Sequence, residues 1–314
     1  MKGVKIALIG NLAADDHRTW LDALQRSLPE ADWQSAQHHG SALEVAVVAS
    51  PPPGSLQHLP ALRLIQSLWA GVDRLMADPS VPTDVPLARM VDPAMNAAMT
   101  QTALWATLAL HRGFFRYQEQ QRQGVWQQHT QRQAREVPVL LLGLGMLGTQ
   151  VAQALTSLGY PVTAWRLHAG RPTPPGVQGV QGPSALEHAL GPSQVVINLL
   201  PLTTHTRGLI NADFLGRLPA GAGLVNLARG AHVVDADLLQ ALDAGHLAHA
   251  VLDVFATEPL PSDHRFWQHP RVTVLPHVAA LTDPRTACEV VADNVRRLAR
   301  AEPLLHLVDR PRGY

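Results

Sequence analysis

Three glycines follow a short apolar run near the middle of the chain. The segment Gly143-Leu144-Gly145-Met146-Leu147-Gly148 comes after Val139-Leu140-Leu141-Leu142 and precedes a helical pattern. In a strand–turn–helix unit the first glycine permits a sharp turn, the second lets the backbone approach a pyrophosphate, and the third lets the helix pack close to the sheet. The free N–H groups of the first helical turn then face the phosphates. We therefore predict a dinucleotide site contacted by Gly143, Gly145, Met146 and Leu147.

The next predicted strand indicates which dinucleotide is bound. A protein specific for NAD normally ends this strand with Asp or Glu, which accepts a hydrogen bond from the ribose 2′-hydroxyl. Here the strand ends with Trp165-Arg166, and the chain that follows contains no carboxylate as far as Arg171. Because two arginines could neutralise a 2′-phosphate, NADP(H) is favoured and NAD(H) is the alternative. The competing interpretation is that Arg166 and Arg171 are solvated loop residues.

Three later loops contain residues suited to acid–base chemistry or to carboxylate binding. They are Asn226–Gly230 with Arg229, Asp253–Leu260 with Asp253 and Glu258, and Leu275–Ala280 with His277. Each follows a predicted strand, and a doubly wound sheet binds its ligands at the carboxyl ends of its strands. Taken singly, the same residues are a surface arginine, loop carboxylates and one of sixteen histidines.

Short apolar strands alternate with helical patterns along the whole chain, which predicts parallel sheets built from βαβ units. One series begins at Val4–Ile9, and a second, of six strands, follows a long helical pattern from Thr100 to about Gln121. We predict an α/β protein of two Rossmann-like, doubly wound parallel-sheet domains with a cleft between them. Residues 1–99 plus 285–314 would form a discontinuous, flavodoxin-like substrate-binding domain, and residues 100–284 the dinucleotide-binding Rossmann domain. Asp283-Pro284 predicts the start of the last helix.

The composition narrows the class of partner. The 314 residues include 25 Lys and Arg and 25 Asp and Glu, and no basic run suggests nucleic acid or an anionic membrane. A small-molecule partner is expected. The single cysteine, Cys288, excludes an intramolecular disulfide and favours a cytoplasmic location, and the helical pattern around it favours a core position. The histidines show no zinc-binding pattern, so we predict no metal.

Together these segments resemble the D-2-hydroxyacid dehydrogenase family, over essentially the whole chain. Besides the glycine fingerprint and the three loops, the resemblance includes Leu68–Asp73, Asn198–Thr203 with Thr206, and Trp267–Val272. The segments Ala228–Val234 and Val308–Tyr314 are similar to the glyoxylate/hydroxypyruvate reductase A branch.

The resemblance implies roles for the residues in the three loops. Reduction of a 2-keto acid needs a hydride at C2, a proton for the carbonyl oxygen and an anchor for the carboxylate. His277 would be the acid, Glu258 its partner and Arg229 the anchor. A carboxylate beside an imidazole favours the charged form of the ring, so Glu258 would keep His277 a competent proton donor. The planar fork of Arg229 suits a carboxylate and can polarise the ketone.

Other implied contacts are to cofactor and substrate. Asp253 would approach the nicotinamide carboxamide, and His277 would also contact the cofactor. Backbone groups of the Trp69 loop would bind the substrate carboxylate, although Gly71 also fits a plain helix start. Trp126 would close the substrate pocket across a homodimer, or else be a core or surface residue. The remaining predicted cofactor and substrate contacts are Leu200, Pro201, Thr206 and Ala228, and Trp69, Ala70 and Gly71.

The resemblance implies NADPH-dependent reduction of glyoxylate to glycolate or of hydroxypyruvate to D-glycerate. One alternative is a dehydrogenase for a bulkier 2-keto acid such as phenylpyruvate, or for D-lactate. Another, of a different class, is a catalytically silent dinucleotide sensor; the joint presence of Arg229, Glu258 and His277 argues against it.

Overall fold

The computed structural model describes residues 3–35, 40–168, 170 and 172–314. The chain divides into two compact units, Met1–Met95 with Thr282–Tyr314, and Asn96–Leu281. Both units are parallel α/β sheets, as the sequence predicted. No helix in the described part of the chain is long and apolar enough to span a bilayer.

The first unit is built on a five-stranded parallel sheet. Its elements before Met95 are β1 (Lys5–Gly10), α1 (Ala14–Ser27), β2 (Asp32–Trp33), β3 (Val45–Ala49), β4 (Leu64–Ser67), α2 (Asp73–Ala77) and β5 (Leu87–Ala88). The strand order is β2-β1-β3-β4-β5, and all the pairs are parallel. This is the doubly wound order found in flavodoxin. Both faces of the sheet are covered, since Ile6 and Leu8 lie in one apolar cluster and Ala7 and Ile9 in another.

The rest of the chain builds the larger sheet and one returning helix. The elements are α3 (Pro93–His111), α4 (Phe114–Arg122), β6 (Val139–Leu142), α5 (Met146–Ser157), β7 (Val162–Arg166), β8 (Val177–Gln181), α6 (Pro183–Leu190), β9 (Val195–Asn198), α7 (Ala212–Gly216), β10 (Ala222–Asn226), α8 (Asp235–Asp243), β11 (Leu247–Leu252), β12 (Val272–Val274) and α9 (Pro284–Ala299).

The seven-stranded sheet has the order β12-β11-β10-β9-β6-β7-β8. Its direction of winding reverses between β6 and β9, where Leu142 pairs with Asn198. The carboxyl ends of these two strands therefore form a topological switch point, which is where open α/β sheets bind ligands. Leu140 and Leu142 pack into the core on one face, and Val139 and Leu141 into the core on the other.

Helix α9 belongs to the first unit. Asp283 caps it by accepting a hydrogen bond from the N–H of Arg285, and Pro284 is the first helical residue, as predicted. Its buried face, Ala287, Cys288 and Val291, lies in the same apolar cluster as Leu24 of α1. Burial raises the pKa of the Cys288 thiol from 9.0 to about 12, so this cysteine is an inert core residue.

Two sequence predictions about elements are wrong. The helix predicted from Thr100 to about Gln121 begins earlier and is broken into α3 and α4, because Gly113 adopts a left-handed conformation with φ of 68°. The second sheet has seven strands rather than six. The additional strand is β8, an edge strand in which three of the five residues are exposed and none is buried, so it lacks the apolar run by which the others were predicted.

Candidate active site

The glycine fingerprint forms the predicted turn between β6 and α5. Gly143 has φ of 100°, and a Cβ there would lie 3.0 Å from the carbonyl oxygen of Leu199. A Cβ at Gly148 would lie 2.1 Å from the carbonyl oxygen of Gly143. The first and third glycines are therefore required by the fold itself, one by its backbone conformation and the other by close packing of the helix on the turn.

Gly145 differs from the other two because no described residue fills the space beside it. It is exposed, and a Cβ there would have no neighbour within 4 Å among the described residues. Among the described residues no side chain caps α5, so the N-terminus of the helix, which begins at Met146 and Leu147, is left open. An open cradle at a twelve-residue helix N-terminus fits a pyrophosphate, which would occupy the space a Cβ would otherwise fill.

Arg166 ends β7, which pairs with β6 on the side away from β9. Its Nη2 donates to the hydroxyl of Thr173 at 3.0 Å, and the Thr173 side chain in turn occupies the space that a Cβ at Gly179 of β8 would need. The guanidinium is thus held beside the turn that follows its own strand. Arg171, the second predicted phosphate ligand, lies outside the described residues.

The loop after β9 contains the predicted cofactor contacts Leu200, Pro201 and Thr206. The Thr206 hydroxyl donates to the Pro201 carbonyl oxygen at 2.7 Å and accepts from the N–H of Thr203 at 2.8 Å. Thr206 is 3% exposed and Leu200 is 7% exposed. These bonds fix the shape of the loop, so the backbone of Leu200 and Pro201 has a defined position at the switch point.

Arg229 follows β10, next to the buried Ala228. Its Nη1 donates to the Ala228 carbonyl oxygen at 2.7 Å. The backbone after it passes close to the next loop, since a Cβ at Gly230 would lie 1.8 Å from the carbonyl carbon of Phe255. Glycine is therefore required at position 230, and this contact brings the Arg229 segment against the loop that leads to Glu258.

Glu258 and His277 form a hydrogen-bonded pair. Oε2 of Glu258 lies 2.9 Å from Nδ1 of His277, and Oε1 accepts from the N–H of Phe255 at 2.9 Å. The carboxylate orients the imidazole so that Nδ1 carries the hydrogen of this bond. Within the described chain no group hydrogen-bonds Nε2 of His277, and the side chain is 54% exposed. Nε2 can therefore exchange a proton with a bound molecule.

Asp253 has a structural role that sequence reasoning missed. Its Oδ1 accepts from the N–H groups of Val278 at 2.7 Å and Ala279 at 3.0 Å, and its carbonyl oxygen accepts from the N–H of His277 at 2.9 Å. Burial raises the pKa of the Asp253 carboxyl, and these N–H donors oppose the rise. His277 itself has φ of 55°, an uncommon conformation outside glycine. Asp253 thus holds the strained turn that presents His277.

The remaining predicted substrate residues belong to other segments of the chain. Trp69, Ala70 and Gly71 belong to the first unit. The indole N–H of Trp69 donates to Ser50 Oγ at 3.0 Å, and the backbone carbonyl oxygen of Trp69 accepts from the N–H of Met90 at 3.0 Å. Gly71 lies two residues before α2 begins. Trp126 lies on the loop after α4 and is 96% exposed.

A protein-family comparison decides the class of this site. The model of the D-isomer specific 2-hydroxyacid dehydrogenase NAD-binding domain matches residues 104–279. The chain belongs to the D-isomer specific 2-hydroxyacid dehydrogenase family. The sequence resemblance is thereby confirmed, and with it the assignment to an oxidoreductase family.

Relatives of this 2-hydroxyacid dehydrogenase extend the similarity to the whole chain. Glyoxylate/hydroxypyruvate reductase A of Salmonella choleraesuis (strain SC-B67) is 39% identical over 303 residues, covering 94% of this chain and 96% of the relative. A D-isomer specific 2-hydroxyacid dehydrogenase from Xanthobacter autotrophicus Py2, solved with NADPH and MES, superposes with a TM-score of 0.91 at 39% identity, covering 98% of this chain and 99% of that one. An NADPH-dependent glyoxylate/hydroxypyruvate reductase from Sinorhizobium meliloti, solved with NADP and sulfate, gives 0.90 at 31%, covering 99% of each chain.

The described residues of this dehydrogenase contain no group of three or more His, Cys, Asp or Glu that could hold a metal ion.

Proposed function

We propose that this protein reduces a short 2-keto acid, glyoxylate or hydroxypyruvate, with NADPH. The observation that carries the proposal is the Glu258–His277 pair, in which one imidazole nitrogen is fixed by a carboxylate and the other is left for a bound molecule. The NADPH and NADP in the two solved relatives, and the names of the reductase relatives, support the cofactor and the substrate class.

The open cradle at Gly145 and the N-terminus of α5 would hold the pyrophosphate, and Arg166 the 2′-phosphate. Asp253 and the Pro201 loop would line the nicotinamide end. Bound NADPH supplies the hydride for C2 of the keto acid. Arg171 and Ala228 are proposed as further cofactor contacts from the sequence alone.

The protein must bind the substrate carboxylate, stabilise the charge that develops on the ketone oxygen and donate a proton to that oxygen. Arg229 binds the carboxylate and faces the charge that develops on the ketone oxygen. Nε2 of His277 donates a proton to that oxygen as the alcohol forms, and Glu258 stabilises the imidazole in the correct orientation throughout. Backbone groups of Trp69, Ala70 and Gly71 are proposed as further contacts to the substrate carboxylate from the sequence resemblance alone.

The test is the loss of reduced-nicotinamide absorbance when purified protein meets glyoxylate, hydroxypyruvate, pyruvate or phenylpyruvate, each with NADPH and with NADH. Turnover of the two small acids with NADPH is the expected result. Preference for phenylpyruvate or pyruvate would replace the substrate assignment and keep the family chemistry. Binding of NADPH without any turnover would instead favour a dinucleotide sensor.

We also propose a homodimer formed through α3, α4 and the loop after them. Five large apolar side chains there are exposed, a concentration more typical of an interface than of solvated surface. They are Trp105, Leu108, Phe114, Val125 and Trp126. Sedimentation of the purified protein should give about twice the 34.0 kDa chain mass, and Leu108→Glu should lower it. The single cysteine supports a reducing compartment such as the cytoplasm.

A further inference from the structure

Three buried polar side chains meet where β9 and β10 end. Asn198 is the last residue of β9, Asn226 is the last of β10, and the two are directly paired in register. His232 follows shortly after Arg229. All three are at most 1% exposed, so each polar atom must be hydrogen-bonded to avoid a large desolvation cost.

The backbone fixes the orientation of both amides. Oδ1 of Asn198 accepts from the N–H of Leu200 at 3.2 Å, so its Nδ2 faces the other way. Oδ1 of Asn226 accepts from the N–H of Ala228 at 3.3 Å, and its Nδ2 donates to the Arg229 carbonyl oxygen at 3.0 Å. Because a backbone N–H can only donate, neither amide can be flipped without losing bonds.

These orientations also determine the tautomer of His232. Nδ2 of Asn198 donates to Asn226 Oδ1 at 2.9 Å and lies 2.9 Å from Nδ1 of His232. Nδ1 therefore faces a donor and must accept. The ring hydrogen is then on Nε2, which donates to the Pro201 carbonyl oxygen at 3.2 Å. A ring with hydrogens on both nitrogens would set an N–H against the Asn198 amide.

The network joins two loops of the site. Through Nε2, His232 shares the Pro201 carbonyl oxygen with the hydroxyl of Thr206. Through Nδ1 it reaches Asn198, Asn226 and so the backbone of Arg229. We propose that neutral His232 is a positioning residue that sets the cofactor loop at Pro201 relative to the Arg229 segment. The inference rests on the proposed function for the roles of those two loops.

Two near-isosteric substitutions separate the two bonds. The amide of His232→Gln reaches the position of Nε2 and can still donate to Pro201, whereas that of His232→Asn reaches the position of Nδ1 and can still accept from Asn198. We expect His232→Asn to weaken NADPH binding about tenfold in a fluorescence titration, since one buried hydrogen bond to the cofactor loop is lost. His232→Gln should retain NADPH affinity and lower kcat/KM for the keto acid about tenfold, with Arg229 less well held.

His249→Gln is the matched control, because His249 is also a buried histidine and lies on β11 outside this network. It should change thermal stability without changing either parameter. The proposal is overturned if both His232 variants fold and neither differs from that control, or if both lose NADPH affinity and kcat/KM equally.

A spectroscopic measurement on the unmodified protein keeps the proposal falsifiable if the variants fail to fold. Nitrogen-15 shifts of labelled histidine should show one ring with a bare Nδ1 and a protonated Nε2 throughout the neutral range. A protonated Nδ1 at His232 would overturn the proposal. If the wild-type protein reduces no keto acid, the proposed function fails, but the NADPH titrations and the histidine shifts still test the network.

Discussion

The carboxylate of Glu258 holds Nδ1 of His277 at 2.9 Å while its other oxygen is held by the backbone N–H of Phe255. The pair is therefore anchored to the main chain rather than being a contact between two free side chains. Asp253 adds a second constraint, since it binds the N–H groups of the two residues after His277. The imidazole is thus fixed from both its ring and its backbone, as proton transfer to a defined atom requires.

Replacing His277 tests its role as proton donor. His277→Gln should lower kcat by roughly 10²- to 10⁴-fold, the usual contribution of a positioned general acid. The dissociation constant of NADPH should change little, because the proposed phosphate contacts at Gly145 and Arg166 are retained. Steady-state kinetics and a binding titration measure the two values. His188→Gln, an exposed substitution on α6, is the control, and wild-type turnover in the His277 variant would contradict the assignment.

Arg166 is expected to determine the choice of cofactor. Arg166→Asp removes a charge-assisted contact to a 2′-phosphate and introduces an acceptor for a ribose hydroxyl, so the ratio of kcat/KM for NADPH to that for NADH should fall by roughly 10- to 100-fold or more. Parallel assays with the two cofactors give this ratio. Arg18→Asp on α1 makes the same change of charge at an exposed site. An unaltered ratio would remove Arg166 from the phosphate site.

The second and third glycines of the fingerprint should respond differently to alanine. Gly148→Ala forces a methyl group against the Gly143 carbonyl oxygen and should cost about 1–3 kcal/mol of unfolding free energy. The methyl group of Gly145→Ala meets no atom of the described residues within 4 Å and should cost less than about 1 kcal/mol, yet it should weaken NADPH binding because it occupies the proposed pyrophosphate cradle. Urea unfolding and NADPH titration distinguish the two. Equal loss of stability in both variants would contradict this division.

His249 should make stability depend on pH. Its ring stacks on Phe115 with centroids 3.9 Å apart, and burial, with nearby His269 and Arg271, lowers the pKa of His249 from 6.5 to about 4. The unfolded chain then binds the proton more readily, so the contribution is complete above pH 6.5 and is lost as the pH falls toward 4.

Over that interval the unfolding free energy should decrease by about 1.4 kcal/mol per pH unit from this group. Denaturant unfolding at a series of pH values, compared with His249→Gln, isolates the contribution. Parallel pH dependence in the two proteins would show that other groups cause the decrease.

The fold could be predicted where a short sequence pattern is sufficient to identify a strand or the start of a helix. The apolar runs of β6 and β9 and the Asp283-Pro284 cap of α9 are such signals. The edge strand β8 could not be predicted, since it has no buried residue and contains two glutamines and a glycine. The break at Gly113 was missed because a glycine within a helical pattern is usually tolerated, and here the left-handed conformation ends the helix.

The candidate site shows the same division. Arg229, Glu258 and His277 were found as residues that follow strands, but their hydrogen bonds depend on which strands are neighbours. The pairing of Asn198 with Asn226 had a usable signal, since both residues end apolar strands of one sheet. The part played by His232 had none, because its tautomer follows from amide orientations that only the folded backbone determines.

The buried thiol on α9 makes the stability of one unit measurable without the other. Cys288 is the single cysteine of the chain and is 1% exposed, so a thiol reagent can modify the native protein only after α9 separates from the first sheet. The second unit has no thiol to contribute a signal. The rate of labelling at saturating reagent is therefore the opening rate of the smaller sheet, and its response to NADPH would report whether occupancy of the larger sheet slows that opening.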